Sequence, residues 1–258
     1  MPDHIKQSLE DGVATLVISH PPVNLLSSKI FGEIRETLEA LQKDPAVRAA
    51  VITGEGQTFA AGADINEILT ITGPDQAKAL LAKGREFMDF LENSPLPLIA
   101  AVNGACIGGG LELVLACHLR LASDKARFGL PEIGLGIIPG LGGTQRLARL
   151  VGLTRATELI LTGDLISAPV ANQMGLVNAV VPEAMLLKQA RGLAKKIGAR
   201  SKVAVQAALR TLVRGSRLDF QKGLDLEAEE FAKLSASADM KEGLKAFIEK
   251  RPPKFQDK

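Results

Sequence analysis

The sequence predicts an α/β protein in which an α/β core is followed by a helical region. Up to about residue 181, short apolar segments typical of buried strands alternate with segments of helical periodicity. From Glu183 onward only helical periodicity is found, and no low-complexity linker separates the two parts. The 258 residues are enough for one large domain, or for a domain with a small appendage.

The first half of the chain contains clear start and stop signals. Residues 13–19 form an apolar strand that Pro21-Pro22 ends. Ser27-Ser28 caps a helix whose apolar positions recur every three to four residues, until Asp44-Pro45 ends it. The next predicted elements are a strand over residues 47–53, a helix from about Asp75 to Glu92 with Asp75 as its cap, and a strand that ends at Val102.

The second half continues the alternation and then becomes helical. A helix follows the glycine run 108–110 and extends to about Cys117. The further predicted elements are a strand over residues 119–122, helices from about Thr144 and over residues 154–161, a short helix capped by Ser167, and a strand over residues 176–181.

Composition favours a cytoplasmic protein without a membrane partner. No apolar run approaches the ~18 residues that a membrane span needs. The polar N-terminal segment, residues 1–12, lacks the apolar centre of a signal peptide. Cys106 and Cys117 both have apolar neighbours in the sequence, and two cysteines make no disulfide framework, which favours a reducing compartment.

Charge is spread unevenly along the chain. Residues 191–258 carry 16 Lys and Arg against 9 Asp and Glu, or +7, whereas residues 1–190 carry 15 against 20, or −5. A basic tail can attract nucleic acid or a phosphorylated ligand, or it can simply present solvated helix faces. The chain has no Trp and no Tyr, on which bases commonly stack, so we expect no nucleic-acid partner.

Two small-residue loops can supply backbone donors. The glycine run 108–110 enters a helix, where N–H groups lack intrahelical partners and no side chain blocks access to them. Such a site holds a phosphate or a transient oxyanion, although close packing or a tight turn also explains one such run. The loop Phe59 to Asp64, FAAGAD, also follows a strand. Two loops after neighbouring parallel strands can each direct one N–H to the same oxygen.

Two glutamates lie in glycine-rich, apolar surroundings. Glu112 falls in the first turn after the glycines, where the helix dipole favours its charged form and burial disfavours it. The sequence leaves the balance open, and a helix-start acid without any catalytic role is the simpler alternative. Glu132, in the loop segment LPEIG, is the second acid. The pair suggests proton transfer or a shared water. A glycosidase could use such a pair, but the 3% aromatic content argues against sugar platforms.

Other site patterns have little support. Residues 134–140, GLGIIPG, resemble a dinucleotide fingerprint shifted by one, but Pro139 replaces the third glycine and no long strand precedes them. The three histidines are scattered, and no Cys/His cluster has metal-ligand spacing, so we expect no metal site.

Three motifs in the correct order carry a resemblance that covers nearly the whole chain. IAAVNGACIGGGLELVLAC, FAAGADINE and FGLPEIGLGIIPGLGGTQRL together resemble the enoyl-CoA hydratase/isomerase family, the crotonase superfamily. The resemblance implies a crotonase-type spiral of ββα units with a C-terminal helical region. It implies a core with the active site over residues 1–195. Residues 196–258 would then serve oligomerisation and cover the coenzyme A pocket, in a homotrimer or homohexamer.

By position, the resemblance assigns roles to individual residues. The oxyanion-hole N–H groups would be those of Ala63 and Gly109, and the catalytic acids would be Glu112 and Glu132. Substrate-binding residues would be Ala61, Asp64, Ile65, Asn66 and Lys254, with Arg251 as a second candidate for the phosphates. Cys117-His118 departs from the Cys-Asp common in relatives, and we interpret His118 as structural.

Retention of both acids favours hydratase chemistry within the family. The resemblance then implies addition of water to a trans-2-enoyl-CoA, giving a 3-hydroxyacyl-CoA, with no metal and no redox cofactor because coenzyme A is part of the substrate. The alternative is an enoyl-CoA isomerase or another acyl-CoA lyase on the same scaffold. A non-catalytic binder of nucleic acid is a third hypothesis, and it has no need of two buried acids.

Overall fold

A computed structural model describes residues 2–258 and confirms the α/β prediction. The described residues form ten strands in two sheets. The strands are β1 (Ile5–Glu10), β2 (Val13–Ile18), β3 (Ala49–Gly54), β4 (Thr58–Ala60), β5 (Leu98–Val102), β6 (Ala105–Ile107), β7 (Leu119–Ser123), β8 (Arg127–Gly129), β9 (Ile166–Ser167) and β10 (Ala179–Val181).

The same range contains eleven α-helices, and two 3-10 helices cover Pro131–Leu135 and Glu183–Met185. The α-helices are α1 (Ser28–Lys43), α2 (Ile65–Leu69), α3 (Pro74–Glu92), α4 (Gly109–Ala116), α5 (Gly143–Val151), α6 (Leu153–Thr162), α7 (Ala168–Gln173), α8 (Leu186–Gly198), α9 (Lys202–Gly215), α10 (Phe220–Ser235) and α11 (Ala238–Ile248). Among residues 2–258, each helix is too short or too polar to serve as a membrane span.

The larger sheet has the strand order β1-β2-β3-β5-β7-β10, and the smaller has the order β4-β6-β8-β9. Only the edge pairs β1–β2 and β8–β9 are antiparallel; all other neighbours run parallel. Three times in succession, a strand of the larger sheet is followed by one of the smaller sheet and then by helix. This repeat is the spiral of ββα units that the family resemblance implied.

The repeat places the three sequence motifs side by side. Strands β4, β6 and β8 are parallel neighbours, so their carboxyl ends lie at the same edge of the smaller sheet. The segment 61–64 leaves β4, the glycine run 108–110 leaves β6, and Leu130–Glu132 leaves β8. Segments up to 70 residues apart in the chain therefore meet at one edge.

The core lies on both faces of the larger sheet, which explains why its inner strands β2, β3 and β5 are mostly apolar. On one face, the buried side chains include Phe59 and Phe128, which are fully buried and each contribute roughly 2 kcal/mol of hydrophobic stabilisation. On the other face, α8 packs Ala190 and Ala194 against β2, β3 and β5. The predicted domain boundary after residue 195 falls within α8, and the division stays a prediction.

Several local predictions differ from the structure. The predicted loop Phe59 to Asp64 begins inside β4, and β6, β8 and β9 were not predicted, because each has only two or three residues. Strand β1 was not predicted, because five of its six residues are exposed and polar residues dominate it. Asp75 does not cap α3; Gly73 is the N-cap residue and Pro74 occupies the first helical position, which suits its fixed φ. Helix α2 was missed because it has only five residues. The strand predicted over residues 176–181 is confined to β10.

The end of the chain is tied back to the core. Lys202 N–H donates to Asp257 at 2.8 Å, and the same carboxylate pairs with the Arg48 guanidinium. Gln256 N–H donates to Asp239 at 2.7 Å, which fastens the last residues to α11. The contacts of Arg48, which immediately precedes β3, fix where the C-terminal helices sit.

Replacing Gly110 with Ala should destabilise the protein. A Cβ atom there would overlap the backbone oxygen of Ala60, forcing α4 away from β4. We expect a loss of about 1–3 kcal/mol in unfolding free energy, the usual cost of overpacking. Thermal unfolding followed by circular dichroism measures it.

The matched control is Gly32→Ala in the middle of α1, where a new Cβ meets nothing within 4 Å. That substitution should stabilise by about 0.5–1 kcal/mol, because Ala loses less backbone entropy than Gly in a helix. Equal melting temperatures for the two variants would contradict the close approach of α4 to β4.

Candidate active site

Two backbone N–H groups that have no acceptor in the described part of the chain lie close together just beyond the carboxyl ends of β4 and β6. Neither the Ala63 N–H nor the Gly109 N–H donates a hydrogen bond within residues 2–258. Gly109 is the first residue of α4, so its N–H has no acceptor inside the helix. A Cβ atom on Gly109 would lie 3.2 Å from Ala63 N, so the two loops are in contact. The pair can act as donors to one oxygen atom.

Glycine is required at two positions in these loops. Gly62 has φ 114° and Gly108 has φ 54°, a region that side chains rarely allow. Gly108 N–H donates to Gly129 O at 2.9 Å, which fastens this loop to β8. These conformations turn the chain so that the next residues, Ala63 and Gly109, present their N–H groups.

The Glu112 carboxylate is buried and held by backbone donors. Its side chain is 2% exposed. Its Oε1 atom accepts hydrogen bonds from Leu141 N–H and Gly143 N–H, both at 2.7 Å. Gly143 opens α5, so the carboxylate sits at the positive end of a second helix besides its own. The Oε2 atom makes no hydrogen bond within residues 2–258 and is the oxygen left for chemistry.

Burial raises the pKa of Glu112 by more than the helix dipoles lower it. The sequence alone left open which of these two effects is larger. Desolvation raises the pKa of Glu112 from 4.5 to about 7, while the hydrogen bonds from Gly143 and Leu141 oppose the rise. The nearby Glu132 charge raises the pKa further. A carboxyl group with this pKa exchanges protons near neutral pH.

Glu132 lies in the 3-10 helix that follows β8 and reaches back toward Gly108. A Cβ atom on Gly108 would lie 3.0 Å from Glu132 Oε1, so only glycine leaves room for the carboxylate. Within residues 2–258, Glu132 Oε2 is the one buried side-chain polar atom without a hydrogen-bond partner. Burial raises the pKa of Glu132 as well. An unsatisfied buried oxygen is costly and marks a place for a polar ligand.

The four central residues predicted from the sequence therefore lie together. Ala63 contacts Gly109, Glu132 contacts Gly108, and Glu112 is close enough to Glu132 for their charges to interact. Two backbone N–H groups without acceptors among the described residues therefore lie beside two acids of raised pKa. The arrangement can polarise a carbonyl and move protons on an adjacent carbon.

The predicted substrate-binding residues near β4 also adjoin the site. Ala61 N–H donates to Val23 O at 3.1 Å. Asp64 caps α2, accepting from the backbone and the side-chain amide of Asn66 at 2.9 Å each. Ile65, half exposed at 51%, begins that helix. Asn66 is thus engaged by Asp64, while Ile65 offers an apolar surface beside Ala63.

Lys254 is not brought to the other site residues. Its N–H donates to Glu242 at 2.7 Å, and it lines a cavity of about 390 Å³ with Arg251 and Gln256. Arg251 is held by Glu242 and Glu249, and these carboxylates raise its pKa. The Lys254 ammonium forms no ion pair within residues 2–258, so it is the better of the two predicted phosphate contacts.

His118 makes only backbone contacts. Its Nδ1 accepts from Leu98 N–H at 2.9 Å and its Nε2 donates to Glu92 O at 3.2 Å. Burial lowers the pKa of His118 to about 4, so the ring is neutral at physiological pH. Both ring nitrogens are occupied by the backbone, as a structural residue requires.

One cluster of possible metal ligands lies outside the site. Asp3, His4 and Glu33 bring ligand atoms within 4.8 Å of one another, a grouping the sequence did not predict. The Lys29 ammonium lies 2.7 Å from Asp3 and 3.7 Å from Glu33, and His4 Nδ1 lies 3.0 Å from Glu33. This ammonium compensates one of the two carboxylate charges of the cluster.

Sequence reasoning missed the donors that hold Glu112. Gly142-Gly143 is a glycine pair entering a helix, the same signal that singled out residues 108–110. This glycine pair lies within the motif FGLPEIGLGIIPGLGGTQRL, but the sequence analysis did not interpret it as a source of donors. Arg146, on the first turns of α5, was missed too, because an arginine on an amphipathic helix is typical of a solvated face.

Comparison with known proteins identifies the family. The family model described as enoyl-CoA hydratase/isomerase matches residues 8–258. A protein named probable enoyl-CoA hydratase from Bacillus subtilis is 42% identical over 98% of each chain. A crotonyl-CoA hydratase from Syntrophomonas wolfei is 40% identical over 96% of each chain. The crystal structure of an enoyl-CoA hydratase from Bacillus anthracis superposes with a TM-score of 0.93 at 37% identity, covering 99% of this chain and all of the other.

The fold and the full-length similarity agree. The matches span both the spiral core and the C-terminal helices, so the similarity is not confined to one motif. The chain belongs to the enoyl-CoA hydratase/isomerase family.

Proposed function

We propose that the protein is an enoyl-CoA hydratase, a hydro-lyase that reversibly adds water to trans-2-enoyl-CoA to give 3-hydroxyacyl-CoA. The observation that carries the proposal is the pair of acids with raised pKa, Glu112 and Glu132, beside the paired N–H groups of Ala63 and Gly109. The names of the similar proteins from Bacillus subtilis and Syntrophomonas wolfei agree with it.

The two N–H groups would receive the thioester oxygen. As water adds to the β-carbon, negative charge builds on that oxygen as an enolate. Two preorganised donors stabilise the charge, and removing one such donor costs about 2.7–4 kcal/mol in other enzymes. The donors are backbone groups, so their placement depends on the glycine conformations of Gly62 and Gly108.

The two acids would hold one water molecule and divide the proton transfers. Glu112 Oε2 takes a proton from the water as its oxygen bonds to the β-carbon. Glu132 delivers a proton to the α-carbon as the enolate collapses. The charge of Glu132 raises the pKa of Glu112, so the ionisation of Glu112 depends on the protonation of Glu132. No metal or redox cofactor takes part in the proposed reaction.

Coenzyme A would lie along the segment Ala61 to Asn66, with its apolar part against Ile65. Lys254 is the proposed contact for its phosphates, since its ammonium forms no ion pair within residues 2–258. Such remote contacts supply binding energy that orients the reacting carbons. Nucleic acid is not a proposed partner.

We further propose that the chain assembles as a homotrimer or homohexamer. The C-terminal helices expose large apolar side chains, including Phe220, Phe231 and Phe247, at 64–85% of their surface. Apolar patches of this kind usually mark protein interfaces. The proposed location is the cytoplasm; Cys106 and Cys117 are unpaired and buried, as suits a reducing compartment.

Crotonyl-CoA hydration tests the activity. Loss of the enoyl-thioester absorbance is followed for the wild type, Glu112→Gln and Glu132→Gln. Each variant should turn over at least ~100-fold more slowly, since each removes one general acid–base group. Acyl-CoA binding should persist, because the donors at Ala63 and Gly109 remain.

Glu158→Gln is the control, because Glu158 is exposed on α6. A variant of Glu112 or Glu132 with wild-type turnover would contradict the role given to that acid. Product analysis with a 3-enoyl-CoA distinguishes the alternative: formation of the 2-enoyl isomer without hydration would identify an isomerase.

The pH dependence of stability tests the ionisation of Glu112. The folded protein binds the Glu112 proton more tightly than the unfolded chain, whose ordinary pKa is 4.5. The contribution of the protonated Glu112 to the unfolding free energy is therefore fully present below pH 4.5, and it is lost as the pH rises through about 7. Glu112→Gln removes that loss and keeps an oxygen acceptor for Leu141 and Gly143.

The quantity to compare is the melting temperature of Glu112→Gln minus that of the wild type. We expect this difference to be roughly 5 °C larger at pH 8 than at pH 5, which corresponds to about 2 kcal/mol. Glu158→Gln should show no such change. Parallel pH curves for the wild type and Glu112→Gln would show that Glu112 ionises normally.

Light scattering in solution tests the assembly. We expect a mass three or six times that of the 27.3 kDa chain. Phe247→Asp should shift it toward the monomer by burying a charge in the interface. Lys241→Asp, on the exposed side of α11, is the control. A monomeric wild type would contradict the proposal.

A further inference from the structure

Arg146 on α5 makes three different contacts with its guanidinium group. Nε donates to Glu92 at 2.7 Å, Nη2 to Asp89 at 2.8 Å, and Nη1 to the backbone oxygen of Leu141 at 2.9 Å. The side chain is 14% exposed, so these contacts are partly shielded from water. Charge-assisted bonds of this kind are stronger than neutral ones.

Leu141 links Arg146 to Glu112 through hydrogen bonds. Leu141 is bonded on both sides of its backbone: its oxygen accepts from Arg146, and its N–H donates to Glu112 Oε1. Gly142, with φ 106°, connects it to Gly143, the second donor to Glu112. Arg146 N–H donates to Gly142 O at 2.8 Å, so the arginine grips this segment through its backbone as well.

The other end of the guanidinium is anchored in α3. Glu92 pairs with Arg217 after α9 in addition to Arg146, and its backbone oxygen accepts from His118. The anchor is therefore a cluster joining three parts of the chain, and it resists displacement more than a single surface ion pair would.

We propose that Arg146 is a positioning residue for Glu112. It holds the segment Leu141–Gly143 so that the two N–H groups fix the Glu112 carboxylate, leaving Oε2 directed to the substrate. The inference rests on the proposed function insofar as Glu112 is the base. Arg146 does not contact the reacting atoms in this account and acts through the loop.

The charge of Arg146 supports the same role electrostatically. It lowers the pKa of Glu112, against the larger effect of burial. Glu132, from the 3-10 helix, and Arg146, from α5, are the charged groups that act on Glu112. Asp89 and Glu92 of α3 face Arg146, and Arg217 faces Glu92.

The experiment compares Arg146→Met, Arg146→Lys and Arg149→Met. Arg149 lies on the same helix and bonds only to Gln145 one turn away, so it is a matched control. Crotonyl-CoA hydration gives kcat, KM and the pH profile. In parallel, carboxyl-carbon NMR titrates Glu112, assigned with Glu112→Gln as the reference.

In Arg146→Met, kcat should fall roughly 10- to 100-fold with little change in KM, because a small misplacement of a catalytic group affects the transition state most. In the pH profile of kcat, the midpoint of the rise on the acid side should move to higher pH, because the variant lacks a positive charge that lowers the pKa of Glu112. Arg146→Lys keeps the charge, so it should keep the midpoint while losing kcat. Arg149→Met should match the wild type.

Wild-type kcat in either Arg146 variant would overturn the inference, as would an unchanged Glu112 titration in Arg146→Met. If Arg146→Met fails to fold, Arg146→Lys tests the inference by itself: a lower kcat with an unchanged pH midpoint supports it, and a wild-type kcat overturns it. If the wild-type protein hydrates no enoyl-CoA, the proposed function fails; the NMR titration then still decides whether Arg146 controls Glu112.

Discussion

The hydrogen bonds from Leu141 and Gly143 to Glu112 Oε1 are the contact on which the site depends. They allow a carboxylate to be 2% exposed inside the molecule, where an unpaired charge would be prohibitively costly. Both donors belong to the backbone at the start of α5. The geometry of the acid is therefore set by the packing of one helix against another, and α4 and α5 are in contact along this seam.

The parallel pairing of β4, β6 and β8 provides the second constraint. Each strand has three residues, and each ends in a functional segment. Parallel neighbours align their carboxyl ends, so short strands suffice to bring two N–H donors and an acid to one place. Phe59 of β4 and Phe128 of β8 are buried in the main core, which anchors these short strands.

Part of the site could be predicted from the sequence because some of its residues are energetically unfavourable in their surroundings unless they have a function. A glutamate among leucines and a glycine run before a helix are costly unless they have a purpose, so Glu112, Glu132 and the two small-residue loops stand out from the residues alone. The choice of the Ala63 and Gly109 N–H groups within those loops came from the family resemblance. The donors at Leu141 and Gly143 left no such trace, because a backbone N–H carries no side-chain signature. Strand β1 was missed for the opposite reason, since an exposed edge strand needs no apolar pattern. The pKa of Glu112 required the degree of burial, which only the fold provides.

The division of labour between the two oxygens of Glu112 has a stereochemical consequence. Because Oε1 accepts two backbone donors, the proton of the neutral acid must reside on Oε2, and the carboxyl group cannot exchange its oxygens by rotation without breaking both bonds. In the proposed reaction, Glu112 would then exchange protons through Oε2 alone. The side from which water is activated, and with it the handedness of the new carbinol centre, would then depend on the peptide backbone at the start of α5.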